Sequence, residues 1–352
     1  MRNMIPRAKP FWKTYIGPLI LALVVLVFPL FARGDYAYLI ELGRLCGVYV
    51  IIVVGLTLLM GYTGQVSLGH AGFYALGAYI PAVLVNTYHW PLTAAVLVGL
   101  TVAVVVSAAL ASPLLRLRGN HLALATLCVG IIIGESVAKF KITGGVDGIV
   151  GLPQFRLFGF LEMSDFRLLG VTVDAGAAKL YVIWAVVWVC VTWALQLVSS
   201  PGGRVLRAVE GDEDAAQSLG IDTYKVKVKV FVVSCALAAL AGVLYAFVHT
   251  EGYLAPEAFG LWMNVQLVMM VVIGGMGSIW GGVAGGVILT GLHEIISLVG
   301  STLGAADTSR IEHIVFGLLL GVILILSPSG MIPGLRRLAR TISRLWTKDR
   351  TL

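Results

Sequence analysis

Between Gly61 and Ile80 the chain reads GYTGQVSLGHAGFYALGAYI, and Gln65, Ser67 and His70 in it are side chains that exchange hydrogen bonds or carry protons. Apolar stretches flank this string on both sides. In hydrocarbon each such group is costly unless it is bonded to protein or faces a water-filled path. Gly61, Gly64, Gly69, Gly72 and Gly77 permit a broken or closely packed helix. Two readings follow. The string is a half-span lining a translocation path, opened by a turn at Gly61–Gly64, or it is a packing helix whose polar groups bond to neighbours. Asn264 and Gln266 stand just before a second glycine string, IGGMGSIWGGVAGG at 273–286, and carry the same pair of readings.

Acidic groups supply other chemistry. Glu135 and the pair His293-Glu294 fall near the outer ends of apolar runs. Glu135 and Glu294 could attract an ammonium group at an outer mouth or contact a delivery protein. Alternatively they are interface-paired side chains that snorkel. Enzyme chemistry finds no support. His70, His121 and His293 are isolated, no HExxH spacing occurs, and no GxSxG elbow surrounds Ser67. No catalytic residue and no metal site is assigned. Cys46, Cys128, Cys190 and Cys235 form no CxxC and read as small apolar core residues.

What positions these residues is a membrane. Of 352 residues 59% are hydrophobic and 12% are charged, about half the charged share of a soluble domain, and the mean hydropathy is +0.94. The formal net charge of +7 lies largely in basic flanks: Arg2, Arg7, Lys9 and Lys13 before the first apolar run, and Arg336 to Arg350 after the last. Such flanks orient a chain in a bilayer and do not imply a nucleic-acid partner. The first apolar run lacks a small-residue cleavage site and reads as an uncleaved span.

The expected fold is all-α, one polytopic membrane domain over 1–352. Candidate spans are 16–32, 45–60, 66–85, 91–113, 121–137, 180–198, 230–248, 262–276, 281–299 and 311–327, about ten in all. With the N-terminus in the cytoplasm, the Arg116–Arg118 turn, the 199–229 loop and the basic C-terminal tail all fall on the cytoplasmic side. The 138–179 loop then faces outward, turn-rich at first and able to hold short strands. Glycine pairs spaced GxxxG, among them Gly130–Gly134, Gly277–Gly281, Gly281–Gly285, Gly282–Gly286 and Gly317–Gly321, mark close helix contacts. The two glycine strings, one per half, hint at a duplicated architecture.

The 199–229 loop is the most specific feature. Pro201-Gly202-Gly203 ends a span, and a helical stretch with Arg204 and Arg207 follows as far as Gly211. Asp212, Glu213 and Asp214 then open a second short helix, where the helix dipole favours acids. Ala215 and Ala216 keep it thin, and Gly220 ends it. A thin, capped helix suits insertion into a partner's groove; a solvated connector is the plainer reading.

DEDAAQSLGI resembles the EAA motif of permeases that work with ATP-binding-cassette ATPases, with Asp214 in place of the usual Glu, then Ala215, Ala216 and Gly220. GYTGQVSLGHAGFYALGAY, GGVDGIVGLP, YLAPEAF, VVIGGMGSIWGG and SPSGMIPGL resemble, in that order, segments of LivM-type permeases of branched-chain amino-acid importers, from about residue 45 to 335. The resemblance implies a permease in the bacterial inner membrane that forms a pore with a LivH-type permease. It implies two cytoplasmic ATPases that bind ATP and Mg, and a soluble binding protein that delivers the amino-acid solute. It implies docking of an ATPase at Arg207, Glu213, Asp214, Ala215, Ala216 and Gly220. Similar permeases move urea, short amides or other amino acids, which leaves those substrates as alternatives. The chain itself has no GxxxxGK[ST] phosphate loop and is expected to hold no cofactor. A stand-alone ion-coupled transporter is the competing class; it would place ionisable residues near mid-membrane.

Overall fold

A segment in lipid must satisfy its own backbone N–H and C=O groups, and the helix does so within one stretch of chain. The computed structural model describes residues 12–31, 38–117, 119–153, 166–168, 171–173, 175–250 and 252–302, with single positions at 315, 317, 318 and 321. Its long helices are α1 (Trp12–Phe31), α2 (Tyr38–Thr63), α3 (His70–Asn86), α4 (Leu92–Leu114), α5 (Asn120–Lys139) and α6 (Ala175–Ser199). After the short α7 (Pro201–Gly211) and α8 (Glu213–Ser218) come α9 (Thr223–Leu244), α10 (Leu261–Gly274) and α11 (Ile279–Thr302). A π-helical turn, Tyr245–His249, continues α9.

Six of the described helices are long and apolar enough to cross a membrane: α2, α4, α5, α6, α9 with its π turn, and α11. Shorter apolar helices lie in α1 and α10. The chain is therefore an all-α polytopic bundle. Nine of the ten expected spans coincide with helices α1 to α6 and α9 to α11. The tenth, 311–327, lies outside the described residues apart from four single positions. The 138–179 loop does carry short strands: β1 (Ile149–Val150), and the antiparallel pair β2 (Phe166–Leu168) and β3 (Val171–Val173). β1 pairs antiparallel with β4 (Tyr253–Leu254), which ties this loop to the segment before α10.

Burial ranks the helices. In α2, 83% of the apolar window is buried, against 22% in α5, so α2 is the central post and α5 lies at the periphery of this chain. α2 contacts α9, α6, α11, α10 and α7; α3 contacts α9, α4 and α5. Helices α3 and α9 cross with their backbones in close approach. A methyl group on Gly77 would collide with the Ala239 carbonyl, and one on Gly242 with that of Tyr74. The glycine spacings also sort by face: Gly281 and Gly285 abut backbone of α10, while Gly282 and Gly286 abut Thr57 and Val50 of α2. Without a hydrophobic drive between helices in lipid, such close backbone approach holds a bundle together.

Candidate functional site

Two groups of sequence-selected residues form built structures. The first is the junction between α2 and α3. The break falls at 64–69 rather than at Gly61, which still belongs to α2. Gly64 takes a positive φ of 66°, which a side-chain-bearing residue resists, and so turns the chain out of the helix. The Gln65 N–H returns to the Leu59 carbonyl (3.3 Å).

The polar groups after the break point into the protein. His70 is the hub: its Nδ1 shares a hydrogen bond with Ser67 Oγ (3.1 Å) and its Nε2 with Ser234 Oγ on α9 (2.7 Å). A neutral imidazole has one donor and one acceptor nitrogen, and either tautomer is satisfied because each hydroxyl can play the complementary role. Asn264 Oδ1 on α10 accepts from the Ala71 N–H (2.9 Å), one of the first N–H groups of α3, which lack a partner within the helix. The Leu68 N–H donates to Thr126 Oγ1 on α5 (3.1 Å). Gln65 Nε2 donates to Thr63 Oγ1 (3.0 Å), while its Oε1 has no partner among the described residues. Gln65, Ser67, His70 and Asn264 are each at most 3% exposed. The junction thus pins α3 to α5, α9 and α10. Ser234 stands near the middle of the span Thr223–His249, so this polar knot lies deep in the bundle.

Gln266, the remaining path candidate, is not part of the knot. It lines a separate cavity of about 50 Å³ with Tyr49, Thr290 and His293. Glu135 is exposed, pairs with Lys139 (3.0 Å), and lines a cavity of about 350 Å³ that also takes in Glu257. Glu294, half-buried on α11, does not line that cavity.

The second built structure is the hairpin α7–α8–α9. Arg207 Nη2 donates to the Val198 carbonyl (2.8 Å), capping the end of α6, where bare carbonyls favour a cation. Asp212 Oδ1 accepts from the N–H groups of Asp214 and Ala215 (3.0 Å each), an N-cap for α8. Gly220 (φ 83°) ends α8 in the left-handed region. Glu213 faces back, forming an ion pair with Lys227 and accepting from Thr223 Oγ1 (3.2 Å). Asp222 caps α9 by accepting from the Lys225 N–H (3.0 Å) and pairs with Lys225 Nζ (2.8 Å). The Lys225 side chain, with its backbone N–H, holds the Asp222 carboxyl below the ordinary carboxylate range.

These contacts fix which face of α8 looks out. Ala216 is buried (2% exposed), while Asp214, Ala215 and Gly220 are exposed and Leu219 is 80% exposed. The outward face of α8 thus presents one apolar side chain, Leu219, beside the small residues Ala215 and Gly220. Leu219 was not among the residues selected from sequence, because a single Leu before a helix-ending Gly gives no sign of its direction. Arg44 and His249 were also missed. Arg44, in α2, is 5% exposed with Nε and Nη1 lacking hydrogen-bond partners among the described residues. An Arg six residues into an apolar run was itself a signal.

A family profile described as "Branched-chain amino acid transport system / permease component" matches residues 38–327. The high-affinity branched-chain amino acid transport system permease protein LivM of Salmonella typhimurium is 31% identical over 312 residues, covering 84% of this chain and 70% of the relative. LivM of Escherichia coli is 29% identical over 309 residues, with the same coverage. LivH of Escherichia coli is 26% identical over 298 residues, covering 81% of this chain and 91% of the relative. No solved structure matches the chain significantly.

Proposed function

The chain belongs to the family of permease components of branched-chain amino acid transport systems, and on that premise we propose that it is the membrane permease subunit of an ATP-binding-cassette importer for branched-chain or similar apolar amino acids. It crosses the inner membrane about ten times, with both termini in the cytoplasm. A LivH-type permease completes the pore; the similarity of this chain to both LivM and LivH supports a pair of like-folded subunits. Two ATPase subunits bind ATP and Mg, and a soluble binding protein delivers the solute.

The observation that carries this reading is the outward face of α8. Asp212, Glu213 and Asp222 spend their hydrogen bonds inside the hairpin and Arg207 ties it to the end of α6, so that Asp214, Ala215, Leu219 and Gly220 stand exposed on a stiff support. An ATPase groove that takes up this face would transmit its closure through α7 and α9 to the bundle, since α7 packs on α2 and α6. The test is reconstitution with partner subunits in lipid nanodiscs. Leucine-loaded binding protein stimulates ATP hydrolysis in the native complex, and Leu219→Asp and Gly220→Trp abolish that stimulation without preventing membrane insertion. Stimulation that persists in both variants removes the docking assignment; ATPase activity indifferent to this chain removes the importer reading.

A further inference from the structure

Six buried side-chain polar atoms have no hydrogen-bond partner among the described residues, and four of them belong to Arg44, Tyr74 and His249. Buried polar atoms are nearly always paired, so a concentration of unpaired ones calls for a reason. The three residues are neighbours. The His249 ring stacks on that of Tyr245 (centroids 5.2 Å apart), which packs in turn on Tyr74 (5.5 Å). The π turn that carries His249 packs against α2. Arg44 of α2 and Lys179 of α6 both act electrostatically on His249. Because α6 ends and α9 begins at the hairpin, Lys179 near the start of α6 and His249 after the end of α9 lie at the opposite end of the bundle. In the proposed topology that end faces outward.

Arg44 sets the chemistry. A guanidinium stays charged wherever it is placed, and a buried charge is costly unless it is paired. Arg44 is 5% exposed, and its Nε and Nη1 have no acceptor among the described residues. No acidic side chain among those residues forms an ion pair with it; Glu41, three residues earlier on α2, is exposed. Lys179, equally buried, adds to the positive field. His249 is half-buried, so the group lies just beneath the surface. Beside it the rings of Tyr74, Tyr245 and Phe259 pack on one another as an aromatic wall. A buried cation with unused N–H groups next to such a wall fits a carboxylate on a small aliphatic body. The oxygens accept from Arg44 and from the Nδ1–H tautomer of His249, and the body lies against the rings.

We propose that Arg44 and His249 form a carboxylate-binding site, and that its ligand is the α-carboxylate of the transported amino acid. The second part rests on the importer reading. The first rests on the buried, unpaired guanidinium and the groups around it.

Thermal unfolding of the assembled complex in lipid nanodiscs, without binding protein, tests both parts. The probes are acetate exchanged for chloride at constant ionic strength, leucine, and isopentylamine, which is leucine without its carboxylate. Acetate and leucine raise the unfolding temperature in a saturable way, and isopentylamine does not. Arg44→Gln raises the half-saturating concentration of both by roughly tenfold or more, the loss of a charge-assisted hydrogen bond, and Arg44→Lys recovers part of it. His249→Phe, which keeps the ring stack, weakens both probes less and gives the reading if the Arg44 variants do not assemble. Equal stabilisation by chloride and acetate, no response to acetate, or a response that these variants leave intact overturns the site. So does an acetate response that appears only in Glu251→Gln, since the chain itself would then neutralise the guanidinium; Glu251 follows His249 by two residues and lies outside the described residues. An Arg44-dependent response to acetate but not to leucine overturns the solute assignment and leaves a site for free carboxylates. Arg44-dependent acetate binding without binding-protein-stimulated hydrolysis sinks the importer reading alone. Stimulated hydrolysis without any acetate or leucine response sinks this site alone.

Discussion

The α2–α3 junction and the α7–α9 hairpin use the same kinds of side chain to opposite ends. At the junction Ser67, His70, Ser234, Asn264 and Thr126 point inward and bond to one another or to backbone. The result is a rigid knot in the interior of the subunit. In the hairpin Asp212, Glu213 and Asp222 also bond internally and Arg207 bonds to the end of α6, but the outcome is a presented surface, with Leu219 and two small residues exposed. Polar residues in a membrane protein therefore do not by themselves mark where a solute passes. In the junction they hold helices in place of hydrophobic packing, which offers little drive between helices in lipid. In the hairpin they stiffen a helix too short to persist alone.

The comparison can be broken at the hub first. His70→Leu leaves the buried hydroxyls of Ser67 and Ser234 without their imidazole, at about 1–3 kcal/mol each. The expected result is a large drop in thermal stability of the detergent-solubilised complex. If complexes that do assemble also transport normally, the knot is scaffold alone. Asn264→Leu leaves only the Ala71 N–H without its acceptor and should cost about 1–3 kcal/mol by the same measurement. A change as large as that for His70→Leu would mean that α10 contributes more to the junction than one hydrogen bond.

The hairpin should respond differently. Leu219→Ala removes exposed apolar surface and is expected to leave stability within about 0.5 kcal/mol, while reducing binding-protein-stimulated ATP hydrolysis. A stability loss of the His70→Leu kind would mean that Leu219 is covered by its own chain. The smallest effect is electrostatic. Asp222 has its carboxyl held below the usual range by Lys225, so its contribution is present above the unfolded carboxylate value near 3.9. It is lost as pH falls through the lowered folded value. Hydrogen exchange at the first turn of α9 should accelerate over that acid window in the native chain and show no such step in Asp222→Asn.

Much of this was legible in the sequence. Glycine density around Gln65, Ser67 and His70 announced a break, and the structure places it at 64–69 because the positive-φ turn is at Gly64. The acid-Ala-Ala spacing and Gly220 announced a capped short helix. What could not be read was direction. Ser234 and Thr126 are lone hydroxyls in apolar helices, and nothing local says that they face His70 and Leu68. Leu219 reads as one more apolar residue of a helix, since its exposure is decided by Glu213 reaching Lys227, fourteen residues on. Helix periodicity names faces only where polar and apolar residues alternate, and most of these spans are apolar all round.

The most direct test of the central claim is disulfide cross-linking in the assembled importer. Cysteine is placed at Leu219 or at Ala216, opposite cysteines introduced along the groove of the ATPase subunit. The account predicts rapid cross-linking from Leu219→Cys and little from Ala216→Cys, which is turned into the hairpin. Equal cross-linking from both positions, or none from Leu219→Cys in a complex that hydrolyses ATP on delivery of leucine, would contradict it.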